Sequence, residues 1–205
     1  ADAVGCGLVC KYCWVSDDVM FRPATVGNLY NPKDVADILA KMAKERNLKQ
    51  LRVSGGEPTI GKKHLLQLLD NLSGRGLSFI LETNGILIGD NPEYADDLFK
   101  YPFLHVRVSL KGCNEREFTM LTDAQPKGFT LQLRALENLL NTGVECHPAV
   151  MVSFSTRESV RQLTQRLRSI NPRLAKDLET EELILYPKVK SRIERYDLKY
   201  HITYT

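Results

Sequence analysis

Leu104-His105-Val106-Arg107-Val108-Ser109-Leu110 alternates apolar and polar side chains residue by residue. Residues two apart on a strand share a face, so His105, Arg107 and Ser109 lie on one side and Val106, Val108 and Leu110 on the other. Two other segments repeat the pattern: Arg52 and Ser54 oppose Leu51 and Val53, while Glu82 and Asn84 share the face opposite Phe79, Leu81 and Thr83. A buried parallel sheet is ordinarily apolar on both faces. One polar face within a βα-repeat therefore predicts the lumen of a barrel or half-barrel that holds a polar ligand. The plainer alternative is that these residues satisfy one another in the core, Arg52 and Arg107 pairing with Glu82.

Outward from this strand, strand-like and helical patterns alternate. Strands are expected at 50–53, 78–83, 104–110, about 146–154 and 183–186, and helices at about 32–46, 63–74, 92–100, 130–142 and 159–170. Asn31-Pro32 opens the first helix, and Leu65, Leu66, Leu68, Leu69 and Leu72 form the apolar stripe of the second. Such alternation predicts an α/β fold, a partial (β/α)6 barrel of parallel strands joined by right-handed crossovers. A sixth strand belongs before Cys6, where only Ala1 to Val4 remain, so the first strand is expected to be clipped. With no repeat or low-complexity linker, residues 1–205 read as one domain, with 188–205 as a candidate capping extension.

Composition narrows the class. The chain has 205 residues, 43% hydrophobic and 26% charged, and its apolar runs are far shorter than the roughly 20 residues of a membrane helix. Ala1 to Gly5 carry neither a basic region nor an apolar one, so the cytoplasm is the expected location. A net charge of +3 falls short of the concentrated basic stripe of a dedicated nucleic-acid binder. Lys188, Lys190, Arg192 and Arg195 do gather late, but interspersed acids read as a solvated surface.

Three of the five cysteines fall within eight residues, in Cys6-Gly7-Leu8-Val9-Cys10-Lys11-Tyr12-Cys13. That clustering argues against a disulfide framework and for metal ligation in a reducing compartment. A cubane iron-sulfur cluster normally takes four thiolates; with three, one iron stays open to a substrate or cofactor. A zinc site completed by histidine is the alternative, but His64, His105, His147 and His201 are distant and lack finger-like spacing.

The cysteine spacing, with an aromatic directly before the last Cys, resembles the radical S-adenosylmethionine superfamily. Further motifs follow in the same order: Gly55-Gly56-Glu57-Pro58-Thr59, Glu82-Thr83-Asn84-Gly85 and Ser109-Leu110-Lys111, each at the carboxyl end of an expected strand, where parallel βα folds bind ligands. The resemblance implies a 4Fe-4S cluster on Cys6, Cys10 and Cys13, with S-adenosylmethionine at the open iron. It implies that backbone at Gly55 and Gly56, supported by Glu57, holds the methionyl amine. Glu82, Asn84, Ser109 and Lys111 would then contact the ribose hydroxyls and the methionyl carboxylate. Tyr12 would shield the cluster beside Trp14 and offer backbone to adenine. The implied chemistry is reductive cleavage to a 5'-deoxyadenosyl radical that abstracts hydrogen, fed by a flavodoxin- or ferredoxin-like donor.

Ser109-Leu110-Lys111, with Leu121-Thr122, Leu136-Glu137-Asn138-Leu139 and Thr142-Gly143-Val144, is similar in layout to small glycyl-radical-enzyme activases, in which the first run begins with Asp. A substrate protein or peptide follows from that likeness; a nucleoside, RNA or small molecule stays open, and a non-enzymatic electron carrier has no use for the later motifs. Cys113, close after Ser109, is a candidate hydrogen donor or modifiable thiol, although a lone cysteine more often packs as a small hydrophobe. Cys146 and His147 read as structural.

Overall fold

The computed structural model describes residues 1–201 in full and, beyond them, the backbone of Thr203–Tyr204. Strand β1 (Asp2–Ala3) leads into the cysteine loop and the short helix α1 (Asp17–Phe21), capped by Ser16. Helix α2 (Pro32–Glu45) starts where the Asn31 side chain accepts the Asp34 amide and a proline, which has no N–H to leave unpaired, fills the first turn. There follow β2 (Gln50–Gly55), α3 (Lys62–Leu72), β3 (Ser78–Thr83), α4 (Ile86–Asp90), α5 (Glu93–Phe99), β4 (Leu104–Leu110), α6 (Glu115–Thr122), α7 (Lys127–Thr142) and β5 (Cys146–Met151). Helices α8 (Arg157–Ile170) and α9 (Pro172–Lys176) precede β6 (Glu179–Glu181); β7 (Leu183–Ile184), α10 (Pro187–Arg195) and β8 (Thr203–Tyr204) end the chain.

Strands β1 to β6 form one sheet in sequence order, and every neighbouring pair is parallel. This is the partial barrel that the alternation predicts. Its outer face carries Phe79, Leu81, Val106, Val108, Leu110 and Val150, all buried in one core with Leu65 and Leu69 of α3, Leu136 and Leu139 of α7, and Leu163 and Leu167 of α8. Each such side chain contributes about 1.5–3 kcal/mol on leaving water, which fixes the sheet register because a one-residue slip would turn Arg107 and Ser109 into the core.

The inner face is polar, and both readings of it hold at once. Arg107 makes a two-point contact with Glu179, at 2.9 Å from Nε and 2.9 Å from Nη2. Its Nη2 also donates to Glu181 at 2.7 Å, and Glu82 lies 3.6 Å from its Nη1 and 3.1 Å from Arg52. The ion pairs cover the middle of the lumen, and a cavity remains above them. His105 and His147 share a hydrogen bond of 2.5 Å lower down.

The first strand is short, as expected, only Asp2–Ala3, with Asp2 beside Ser54 and Ala3 beside Gly55. Two expectations change. The fifth ends at Met151, where Val152 N turns to Glu181 O. The sixth is Glu179–Glu181, and the apolar Leu183–Ile184 pairs instead with Thr203–Tyr204 in a separate two-stranded sheet. A short edge strand whose carboxylates serve Arg107 has no apolar alternation to read. Of the expected capping segment 188–205, helix α10 packs against the cysteine loop, while residues 202 and 205 lie outside the described residues. Among the described residues, no helix is long and apolar enough to cross a membrane.

Candidate active site

The loop between β1 and α1 is tied down along its length by other elements. Gly5 donates its N–H to Val19 O and accepts from Glu57 N, both at 2.7 Å. Lys11 N donates to Leu121 O at 2.9 Å, and its ammonium pairs with Asp123 at 2.6 Å. Cys13 N closes a turn onto Cys10 O, and the Arg192 guanidinium of α10 donates to Cys13 O and Asp17. These contacts fix the loop with its thiols on one side. Cys6, Cys10 and Cys13 all line a single cavity of about 260 Å³.

Tyr12, Gly55, Gly56, Glu57, Glu82, Asn84, Ser109 and Lys111 line the same cavity. Residues up to 105 positions apart in sequence, Cys6 and Lys111, meet because the barrel gathers the carboxyl ends of β2, β3 and β4 over the loop. Cys113 does not join them. It is buried to 3% exposure in the core, outside the cavity lining, with its N–H donated to Glu117 at 2.7 Å, and burial pushes its thiol up to about 12.

The structure gives some of these residues work that the sequence does not reveal. The Glu57 carboxylate is buried and accepts four hydrogen bonds: from Thr59 N at 3.1 Å, Thr59 Oγ1 at 2.6 Å, Thr83 Oγ1 at 2.6 Å and Asn84 N at 2.7 Å. Four donors are about what a carboxylate can accept, so Glu57 braces the ends of β2 and β3 and has little capacity left for a ligand. Gly55 and Gly56 are required by the neighbouring chain: a Cβ on Gly56 would sit 2.2 Å from Gly5 O, and one on Gly55, at φ +89°, 2.8 Å from Ala3 O.

Asn84 accepts Ile86 N on Oδ1, leaving its side-chain NH2 without a protein partner among the described residues. Lys111 donates to Ser109 Oγ at 2.6 Å, so the cation and the hydroxyl act as one unit at the end of β4. Behind them stands Gln132 of α7, fully buried, whose Nε2 donates to Asn84 O at 2.7 Å and Ser109 O at 2.9 Å while its Oε1 accepts Lys111 N at 3.1 Å. Sequence reasoning missed Gln132. The signal was a glutamine three residues after Phe129 and four before Leu136, on the buried face of α7. It also missed Glu181, Ile184, Tyr186 and Val189, which complete the cavity wall from β6 to α10.

Burial dominates the thiol electrostatics. It pushes Cys10 up to about 12 and raises Cys6, and the nearby Lys111 cation pulls both back down. Metal binding requires thiolates, so a metal taken up here would displace the thiol protons. Burial likewise raises the Tyr12 phenol well above its ordinary value, and the ring packs 5.2 Å from Phe154.

The sequence model described as the Radical SAM superfamily matches residues 2–167, most of the chain. The chain belongs to the radical SAM superfamily. Pyruvate formate-lyase-activating enzyme of Clostridium pasteurianum is 24% identical to it across 97% of this chain and 79% of that protein. A probable GTP 3',8-cyclase of Methanococcus vannielii is 30% identical across 57% of this chain and 37% of that protein. Among solved structures, Streptococcus suis SuiB bound to S-adenosylmethionine superposes with a TM-score of 0.67 at 16% identity, covering 99% of this chain and 48% of that one. Native anSMEcpe with bound AdoMet gives 0.62 at 20% identity, covering 93% of this chain and 56% of that one. At such identities the structural likeness establishes the radical SAM fold alone. The chain spans about half the length of these solved relatives and about a third of the cyclase.

Radical SAM enzymes use a 4Fe-4S cluster and S-adenosylmethionine. The donor set here fits both groups. Three thiols face one cavity and, among the described residues, neither a fourth cysteine nor a histidine lines it, which leaves one iron of a cubane without a protein ligand. No group of three His, Cys, Asp or Glu side chains among the described residues converges tightly enough for a single ion. A cubane asks for something different, since each thiolate takes a separate iron.

Proposed function

We propose that this chain is the catalytic core of a radical SAM enzyme that abstracts hydrogen from a protein or peptide, in a cytoplasmic setting with a flavodoxin- or ferredoxin-like electron donor. When bound, the cluster supplies an electron to the sulfonium of S-adenosylmethionine, giving methionine and a 5'-deoxyadenosyl radical that takes a hydrogen atom from substrate. Cys6, Cys10 and Cys13 would hold the cluster through three of its irons, leaving the fourth open to the cofactor.

One observation carries this reading: the three thiols share a cavity with the polar ends of β3 and β4 and with no fourth thiolate among the described residues. Lys111 is the natural partner of the methionyl carboxylate, on the cavity wall and already oriented by Ser109. The Asn84 NH2 and Glu82 offer a donor and an acceptor for the ribose hydroxyls. Gly55 and Gly56, whose lack of side chains lets β2 pack directly on Ala3 and Gly5, line the cavity and would present backbone to the amine. Tyr12 and Leu8 wall the cluster from water, and Glu57 and Gln132 act at one remove by fixing the strand ends.

A protein or peptide substrate is favoured by the likeness to the activating enzyme across nearly the whole chain. The cavity edge favours it too, because Trp14, Ile184 and Tyr186 line it and are each about half exposed, offering apolar surface to a bulky partner. The likeness to the cyclase keeps a nucleotide as the second reading.

The test is anaerobic reconstitution with iron and sulfide, then 5'-deoxyadenosine release on addition of S-adenosylmethionine and dithionite. Wild type should release it, and the Cys6, Cys10 and Cys13→Ala triple variant should not. A fully clustered wild type that releases none contradicts the proposal.

A further inference from the structure

Helix α10 buries Val189, Arg192 and Ile193 and turns its other side chains to water. Two of the three are what an amphipathic helix buries, and the arginine is not. Its residue exposure is 6%, and its guanidinium reaches across 179 positions of sequence to donate to Cys13 O through Nη1 and to Asp17 Oδ1 through Nη2. These two acceptors bracket the end of the cysteine loop: one is the backbone of the last cysteine, the other the first residue of α1. A buried guanidinium without partners is costly, so α10 cannot dock fully unless the loop is in place, and the reverse holds too.

We infer that Arg192 is a positioning residue, a latch by which the C-terminal helix fixes the backbone of Cys13 and so sets the third thiol. The other two cysteines are fixed from within the barrel, through Gly5 by Glu57 and through Lys11 by Leu121. Cys13 is the cysteine whose own carbonyl is held from beyond β6; near Cys10 the same helix end makes only the looser contact of the Tyr196 ring with the Lys11 ammonium, at 5.5 Å. Val189 lines the cavity one turn before Arg192, and Tyr186 lines it just ahead of the helix, so a displacement of α10 by whatever enters the cavity reaches Cys13 directly.

The latch itself is testable in the metal-free protein, and only a second arm rests on the cluster reading proposed above. In the first arm, iodoacetamide labelling is read site by site by peptide mass spectrometry. Arg192→Met should raise the labelling rate of Cys13 relative to Cys6 by about tenfold, the weight of a lost charged hydrogen bond. Arg192→Lys, which cannot span both acceptors, should raise it less, and Asp17→Asn, which keeps the Cys13 contact, should leave it near wild type. An unchanged ratio in a folded Arg192→Met overturns the latch, and if that variant does not fold, an unchanged ratio in Arg192→Lys overturns it. Equal acceleration at the buried Cys113 and Cys146 also overturns it, since that marks general loosening. In the second arm, reconstituted Arg192→Met should lose iron to a ferrous chelator about tenfold faster than wild type; loss at the wild-type rate contradicts the consequence for the cluster. A wild type that takes up no cluster contradicts the proposed function, and the labelling arm still decides the latch.

Discussion

Glu57 illustrates how a residue can sit in the right cavity for an unexpected reason. Its four hydrogen bonds bind the end of β2 to Thr83 and Asn84 at the end of β3. Gln at this position keeps one acceptor and turns an NH2 toward the Asn84 N–H, donor against donor. We expect Glu57→Gln to cost about 1–3 kcal/mol in urea denaturation of the metal-free protein, and an unchanged midpoint would remove Glu57 from this bracing role. Glu179 carries a pH signature. The Arg107 hydrogen bonds hold its carboxyl at about 2, below the usual 4.5. Because the folded-state value is depressed, its stabilising contribution is complete above the unfolded value and is lost as pH falls from about 4.5 toward 2. Its side chain is half exposed, so the contribution is small. Glu179→Gln should flatten the acid limb of the stability curve over that window, and an unaltered limb would contradict the pairing.

At the scale of elements, α7 positions the ends of two strands through one side chain. Gln132→Leu keeps the volume but strands Lys111 N, Asn84 O and Ser109 O without their partner. We expect a loss of about 1–3 kcal/mol for the buried groups left unpaired, seen as a lower denaturation midpoint; a neutral Gln132→Leu would show that water replaces the glutamine. The elements that the sequence made legible are those with a strong period: β4 by its alternation, and α2, α3 and α8 by their apolar stripes. Helices α1, α4 and α9 have five residues each, too few for a 3.6-residue period to declare itself. β6 was missed because Glu179 and Glu181 point at Arg107, and a polar edge strand looks like a loop. The same cause hid Gln132 and Arg192. Each is a polar residue on the apolar face of a helix, a pattern that reads as noise until the partner on another element is known. The cysteines and the ends of β2 to β4 were legible because their motifs are local in sequence and their order sets their place in the barrel. The wall from β6 to α10 has no such motif.

At the scale of the molecule, the six parallel strands, the cysteine loop and α10 enclose one cavity whose thiols lie at one side and whose Ser109–Lys111 pair lies among the facing strand ends. In the proposed function three thiols hold a cluster with an open iron, and this cavity brings S-adenosylmethionine to it. Electron paramagnetic resonance of the dithionite-reduced protein, recorded with and without S-adenosylmethionine, reads both the cluster and its open iron. We expect a reduced-cluster signal whose shape changes when the cofactor is added, with Lys111→Ala needing about tenfold more cofactor for the same change. A reduced-cluster signal that S-adenosylmethionine leaves unaltered, or one that persists in the Cys6, Cys10 and Cys13→Ala variant, would contradict it.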